Sequence, residues 1–221
     1  MDTVGTVIAE LIQTTLNGKG DSDAHLMAML GIVLQMQPKV TVELGVRSGA
    51  STLPLLLGTQ MVGGQMLSCD INEPKWKPPK FLEETWNFVQ GDSIQFLEEW
   101  GVEYPNVVMD VVYVDDWHEY THVKRELELL ENYVTPESII LLHDCMSGTW
   151  RGPWKAHPDK VNQNFKSHYM PPNYYSDTGE FSGGGPSTAV RELNLDKWEY
   201  STLPVYHGLT ILRKKDEVTN A

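Results

Sequence analysis

Cysteine is scarce: the chain of 221 residues carries two, Cys69 and Cys145. Both fall at the ends of predicted buried strands, which argues against a disulfide framework and for a reducing, cytoplasmic setting. Basic residues are also few, 17 Lys and Arg against 30 Asp and Glu, for a formal charge of −13. A surface this acidic repels phosphate backbones, and no basic run or basic amphipathic helix invites a lipid surface. Neither nucleic acid nor a membrane is an expected partner. Long apolar runs are missing too. The stretch from Val4 to Leu16 is interrupted by Glu10 and Gln13, so it reads as neither signal peptide nor membrane span. What is plentiful is core material: 41% hydrophobic residues and seven tryptophans, enough for one globular domain and short for two.

The first 37 residues read as two helices. Val4, Ile8, Leu11, Ile12 and Leu16 recur at helical spacing until Asn17-Gly18-Lys19-Gly20 breaks the pattern. A second helix is expected to start near Asp21 to Asp23, capped by their short side chains, and to run through Leu26 to Met36 until Pro38. The period then changes. Strands are predicted over Val40 to Leu44, Gln65 to Ile71, Asn87 to Gln90, Val107 to Val114 and Ser138 to Leu142. Between them lie helical segments at Ala50 to Leu57, Lys80 to Trp86, Ile94 to Trp100 and Tyr120 to Tyr133. Such alternation predicts an open, doubly wound α/β sheet with helices on both faces. Met146 to Gly185 shows no period, is rich in aromatic residues, and is expected to form a substrate loop or lid. A helix from Ser187 to Leu193 and two strands, Trp198 to Leu203 and Leu209 to Arg213, should close the sheet with an antiparallel hairpin. The predicted layout is N-terminal helices (1–37), core (38–145), insertion (146–185), then helix and hairpin (186–213).

In such sheets ligands bind beyond the carboxyl ends of the strands, so the polar residues there carry the chemistry. The first strand ends in Glu43-Leu44-Gly45-Val46-Arg47-Ser48-Gly49-Ala50-Ser51, whose glycines permit a tight turn beside a helix start. It lacks the G-x-G-x-x-G spacing of a pyrophosphate-binding turn. Asp70 closes the second strand, Asp92-Ser93 follows the third, and Asp115-Asp116 the fourth.

With "VELGVRSGAS", "LSCDIN", "VQGDS", "DVVYVDDWHEY" and "IILLHD" in order, residues 38 to 145 resemble the class I S-adenosylmethionine-dependent methyltransferases. The likeness is to small-molecule O-methyltransferases of the catechol type and a related bacterial group. It implies a Rossmann-like fold with a mostly parallel seven-stranded sheet and an antiparallel C-terminal strand. It further implies that Glu43 lies near the methionine amino group, with Gly45, Ser48, Gly49 and Ser51 forming the cofactor turn. Asp70 would take the ribose hydroxyls, and Asp92 and Ser93 the adenine side. Asp115, His118 and Tyr120 match the D-x-D-H-x-Y frame of the bacterial group, with Trp117 in place of its second acid. Against the catechol type, Asp115 and Asp144 match ligands of a magnesium or other divalent ion, and Trp117 a residue beside the adenine. The third ligand there, an asparagine, corresponds to Cys145, and thiol is a poor partner for magnesium. Asp116 or His143 is then left to complete a metal site.

The implied reaction moves the sulfonium methyl group to a hydroxyl of a small molecule or sugar, which must be aligned and deprotonated. His118 and His143 are both candidates for the base. Two other readings stand beside it: a cofactor-binding protein without catalysis, and a metal-dependent hydrolase or hydroxylase using His118, His143 and Asp144. A homo-oligomer is compatible with all three. The literal string His118-Glu119-Tyr120-Thr121-His122 matches the zinc-peptidase pattern H-E-x-x-H. A buried strand and two aspartates directly precede it, however, and Arg125 and Glu128 occupy the places where an extended motif needs glycine and histidine. His122 is therefore expected to be a surface helix residue.

Overall fold

A computed structural model describes residues 3–18, 20, 22–145 and 185–216. The predicted insertion, 146–185, lies outside the described residues except for Gly185. Five parallel strands run side by side: β1 (Val40–Leu44), β2 (Gln65–Asp70), β3 (Trp86–Gln90), β4 (Val111–Val114) and β5 (Ile139–His143). The hairpin β6 (Trp198–Leu203) and β7 (Leu209–Lys214) adds antiparallel to β5, giving the order β3-β2-β1-β4-β5-β7-β6. The order reverses between β1 and β4, and the crevice at their carboxyl ends is where such sheets place ligands.

Helices cover both faces. On one lie α1 (Val4–Asn17), α2 (Leu26–Met36) and α3 (Thr52–Met61), joined in a core with Val111, Tyr113 and Leu141. On the other lie α4 (Ser93–Glu103), α5 (Tyr120–Leu130) and α6 (Gly185–Arg191), joined in a core with Val42, Val112, Val114 and Leu142. Alternate residues of β4 thus feed opposite cores, the strand period at work. Gly58 of α3 lets α2 approach, since a Cβ there would stand 2.8 Å from Val33. Among the described residues no helix is long and apolar enough to cross a membrane.

Two local expectations change. The predicted cap of α2 does not form: Asp23 starts a 3-10 turn, Asp23–His25, and its carboxylate accepts from Gly20 N–H at 2.6 Å instead. The fourth strand starts at Val111 rather than Val107. Asp110, just before it, accepts from the N–H groups of Lys39 and Val40 at 2.8 and 2.9 Å. That staple aligns β4 with β1, and it leaves Val107 and Val108 exposed in the preceding turn.

Candidate active site

The turn after β1 is held by its own acids. Gly45 takes φ +93°, and its N–H donates to the Cys69 carbonyl at 2.8 Å. Asp70 accepts from the N–H groups of Val46 and Arg47 at 2.8 and 2.9 Å, and from Asn72 N–H at 2.8 Å. A carboxylate has about four lone-pair sites, so Asp70 both ties the turn and keeps capacity for a ligand hydroxyl. Gly49, at φ +77°, lies under the indole of Trp76, where a Cβ would meet the ring at 2.3 Å. Ser48 and Gly49 line a cavity of about 200 Å³ with Trp76, Leu11 and Leu26. Trp76 escaped the sequence reading because its surroundings, a proline- and lysine-rich connection, have no period.

Glu43 is fully buried on β1, beside Ser68 of β2 and Tyr113 of β4 in the register. Ser51 donates to it at 2.7 Å, Thr52 at 2.9 and 3.1 Å, and Ser68 at 2.8 Å. Burial pushes its carboxyl up to about 7, and the three hydroxyls only partly oppose that. Its ionisation therefore costs stability. The folded chain keeps this proton while the unfolded chain loses it near the ordinary value 4.5, so stability falls as pH rises from there to about 7. Glu43→Gln removes the loss. In denaturant titrations without cofactor, the variant should gain on the parent by about 3 kcal/mol between pH 4.5 and pH 8. Parallel stability curves for the two proteins would show the group ionised throughout.

Four residues meet at the carboxyl ends of β4 and β5. His118 Nε2 lies 3.1 Å from Asp115 Oδ1 and 2.9 Å from Asp144 Oδ2. His143 Nδ1 lies 3.2 Å from Asp115 Oδ1 and 3.3 Å from Asp144 Oδ1. Tyr113 donates its hydroxyl to Asp115 Oδ2 at 2.9 Å. Asp144 holds φ +57°, a left-handed conformation that aspartate tolerates and that is often found at functional sites. Burial alone would raise both aspartates, but the facing histidines hold Asp115 and Asp144 below the usual carboxylate range. Burial likewise opposes charge on the histidines, yet the carboxylates prevail: His118 is raised well above 6.5 and His143 to about 9. The group is thus two carboxylates neutralised by two imidazolium ions.

Two histidines join this cluster without any motif to announce them. His25, from the turn before α2, stacks edge-on to His143 at 5.4 Å, and burial with the His143 charge lowers it to about 4. His207, in the β6–β7 turn, places Nδ1 3.4 Å from Asp144 Oδ1. Cys145 turns away: its thiol donates to the Leu142 and His143 carbonyls at 3.3 and 3.5 Å, and burial pushes it up to about 12. It cannot stand in for a metal-binding asparagine.

The other predicted residues separate from this group. Asp92 caps α4, accepting from Ile94 and Gln95 N–H at 2.9 and 3.2 Å. Ser93 is buried and bonds His122 at 2.8 Å. Trp117 is 43% exposed. His122 is not the surface residue its helical position suggested. Its side chain is 16% exposed and faces Ser93, Asp116 and Glu126. The H-E-x-x-H string is split between two clusters. Glu119 caps α5, so His118 precedes the helix and His122 lies within it. Asp115 and Asp116, adjacent at a strand end, point to opposite faces and draw one of the string's two histidines each, Asp115 facing His143 as well.

With this geometry in view, residues 42–145 match the family described as methyltransferase domain. No curated protein matches the sequence significantly. Among solved structures, TomG of Streptomyces achromogenes, an O-methyltransferase of tomaymycin synthesis bound to S-adenosylmethionine, has TM-score 0.59 at 10% identity, covering 95% of this chain and 90% of its own. CalS11, a TDP-rhamnose 3'-O-methyltransferase of calicheamicin biosynthesis, has TM-score 0.56 at 17% identity, covering 98% and 97%. The Bacillus cereus O-methyltransferase bound to SAH has TM-score 0.55 at 12% identity, covering 96% and 90%. The sequence motifs, the strand order and the family match therefore agree: residues 42–145 are similar to a methyltransferase domain, and the chain has the fold of these O-methyltransferases.

Proposed function

We propose that this enzyme transfers the methyl group to a hydroxyl of a small molecule, a sugar or a phenol. The observation that carries this reading is the cluster of Asp115, His118 and Asp144, 18%, 19% and 29% exposed, beside the turn after β1. Glu43, Gly45, Ser48, Gly49, Ser51 and Asp70 surround that turn, and Asp70 retains acceptor capacity for ribose hydroxyls. Asp92, Ser93 and Trp117 border the adenine side. The sulfonium cofactor brings an activated methyl group, so the chain's task is alignment of the acceptor oxygen and removal of its proton. His118 is the base in this reading. It bridges both carboxylates, so they orient its ring and stabilise the charge it acquires. His143, 1% exposed, supports Asp115 and Asp144 from behind.

The same residues fit a divalent ion that takes the place of the His118 proton. Ligand atoms of Asp115, His118 and Asp144 lie within 4.8 Å of one another, and Asp144 Oδ1 has long ion-pair contacts, 3.3 Å to His143 and 3.4 Å to His207. A nitrogen beside two carboxylates suits manganese, iron or zinc better than magnesium. A bound ion would lower the pKa of the acceptor hydroxyl.

Calorimetric titration with S-adenosylmethionine, followed by transfer of labelled methyl to a panel of nucleotide sugars and phenols, tests the assignment. Asp70→Ala should weaken cofactor binding roughly 10–100-fold, the worth of charge-assisted hydrogen bonds. Cofactor binding with no transfer to any hydroxyl would favour a binding protein, and an unchanged affinity in Asp70→Ala would remove the ribose assignment.

A further inference from the structure

The cluster on the opposite side of β4 shares only Ser93 with the site above. His122 and Glu126 stand one turn apart on α5, facing Asp116 at the end of β4 and Ser93 at the start of α4. His122 Nε2 lies 2.8 Å from Ser93 Oγ, 3.3 Å from Asp116 Oδ2 and 3.5 Å from Glu126 Oε1. One ring nitrogen carries at most one proton and cannot bond three oxygens. Glu126 is fully buried, its oxygens lack a well-formed hydrogen bond, His122 being a long ion pair at 3.5 Å, and burial pushes its carboxyl up to about 8. Asp116 Oδ1 is buried and unbonded as well. Carboxylate oxygens at this depth are costly unless a retained proton or a cation joins them.

The spacing accommodates a small tetrahedral cation. Donors about 2.0–2.1 Å from a tetrahedral zinc ion stand roughly 3.3–3.4 Å from each other. The nitrogen-to-carboxylate separations of 3.3 and 3.5 Å fall on that edge length. We propose that Asp116, His122 and Glu126 form a tetrahedral site for a divalent transition ion of the zinc class, with the Ser93 hydroxyl beside the fourth position. The mixed nitrogen and oxygen set disfavours magnesium and calcium. Asp116 and His122, 18% and 16% exposed, form the rim through which an ion enters. A filled site would tie the end of β4, the start of α4 and the first turns of α5 into one unit. It is a structural site, separate from the Asp115 cluster.

The test uses the full chain, stripped by chelator and titrated with cobalt(II) chloride. The expected result is an equivalent of cobalt with the visible absorption of tetrahedral coordination, counted apart from any ion held by the Asp115 cluster, retained in Asp144→Asn and lost in both His122→Gln and Glu126→Gln. Zinc chloride should displace the cobalt and raise the melting temperature of the parent but not of Glu126→Gln. Loss of a direct ligand should lower zinc affinity by at least the roughly 10–100-fold seen for outer-shell partners. Cobalt uptake without the tetrahedral spectrum, no uptake, or a spectrum that survives both α5 substitutions overturns the proposal. So does a spectrum lost in Asp144→Asn, because the ion would then belong to the other cluster. If Glu126→Gln does not fold, His122→Gln and the parent's own titration decide.

Discussion

Replacing His118 by asparagine should lower methyl transfer at saturating cofactor and acceptor by roughly 10²–10⁴-fold, the range for loss of a positioned base. S-adenosylmethionine affinity should stay within about twofold, because His118 contacts Asp115 and Asp144 rather than the turn after β1. Asparagine still donates to a carboxylate but cannot carry the substrate proton. The electrostatics set the pH dependence. Burial disfavours the imidazolium, yet Asp115 and Asp144 raise His118 well above 6.5, so the resting group is charged at neutral pH and must lose its proton to act. Activity should therefore climb with pH beyond the ordinary histidine range. Stability runs the other way. The ion pairs contribute fully below the unfolded value near 6.5 and are lost as pH rises through the raised folded value. Asp144→Asn removes one of the two carboxylates and should move the ascending limb of the rate profile to lower pH. Single-turnover transfer across a pH series measures all of this. Wild-type rates in His118→Asn, or an ascending limb unmoved in Asp144→Asn, would sink the assignment of the base.

Much of this site was legible in the sequence for a physical reason. A parallel sheet puts the carboxyl ends of its strands together, so residues ending β1, β2, β4 and β5 were neighbours once the alternation was recognised. Asp115 and Asp144 were paired by the family resemblance, and the pairing of β4 with β5 brings them together. Their partners were harder. His25 arrives from a turn before α2 and His207 from the β6–β7 hairpin, and no spacing relates either to β4. Glu126 reads as one more acid on an amphipathic helix. Its burial follows from the packing of α5 against α4 and the sheet, which helix periodicity alone does not fix. His122 was misjudged for the same reason: helix position suggested solvent, while Asp116 and Ser93 enclose it. The strand period explains why one motif supplies two clusters. Adjacent aspartates at the end of β4 must face opposite sides, and each collects the histidine on its own side.

The close approach of β1 and β4 makes Gly45→Ala the other substitution with a large expected effect. Gly45 adopts φ +93°, and a Cβ there would stand 2.4 Å from the Asp115 carbonyl oxygen, 2.7 Å from its carbon and 2.9 Å from Asp116 Cα. All three are backbone atoms, so no side chain can swing aside. The left-handed conformation costs about 1–2 kcal/mol and overpacking a further 1–3 kcal/mol. Together these amount to about 2–5 kcal/mol, a fall in melting temperature of roughly 5–15 °C for a chain of this size. Function should suffer beyond stability, because relief of the clash must push Asp115 and Asp116 away from the turn that Asp70 holds. Cofactor affinity and methyl transfer should both fall at temperatures where the variant remains folded. Gly63→Ala is the control: it has φ +79° but no atom within 4 Å of the added carbon. It should show only the conformational cost, about 1–2 kcal/mol, and unchanged cofactor affinity. Equal losses in the two variants, or normal cofactor binding in folded Gly45→Ala, would mean that β4 yields without disturbing the site. The rigid contact between the Gly45 turn and Asp115 would then have no functional role.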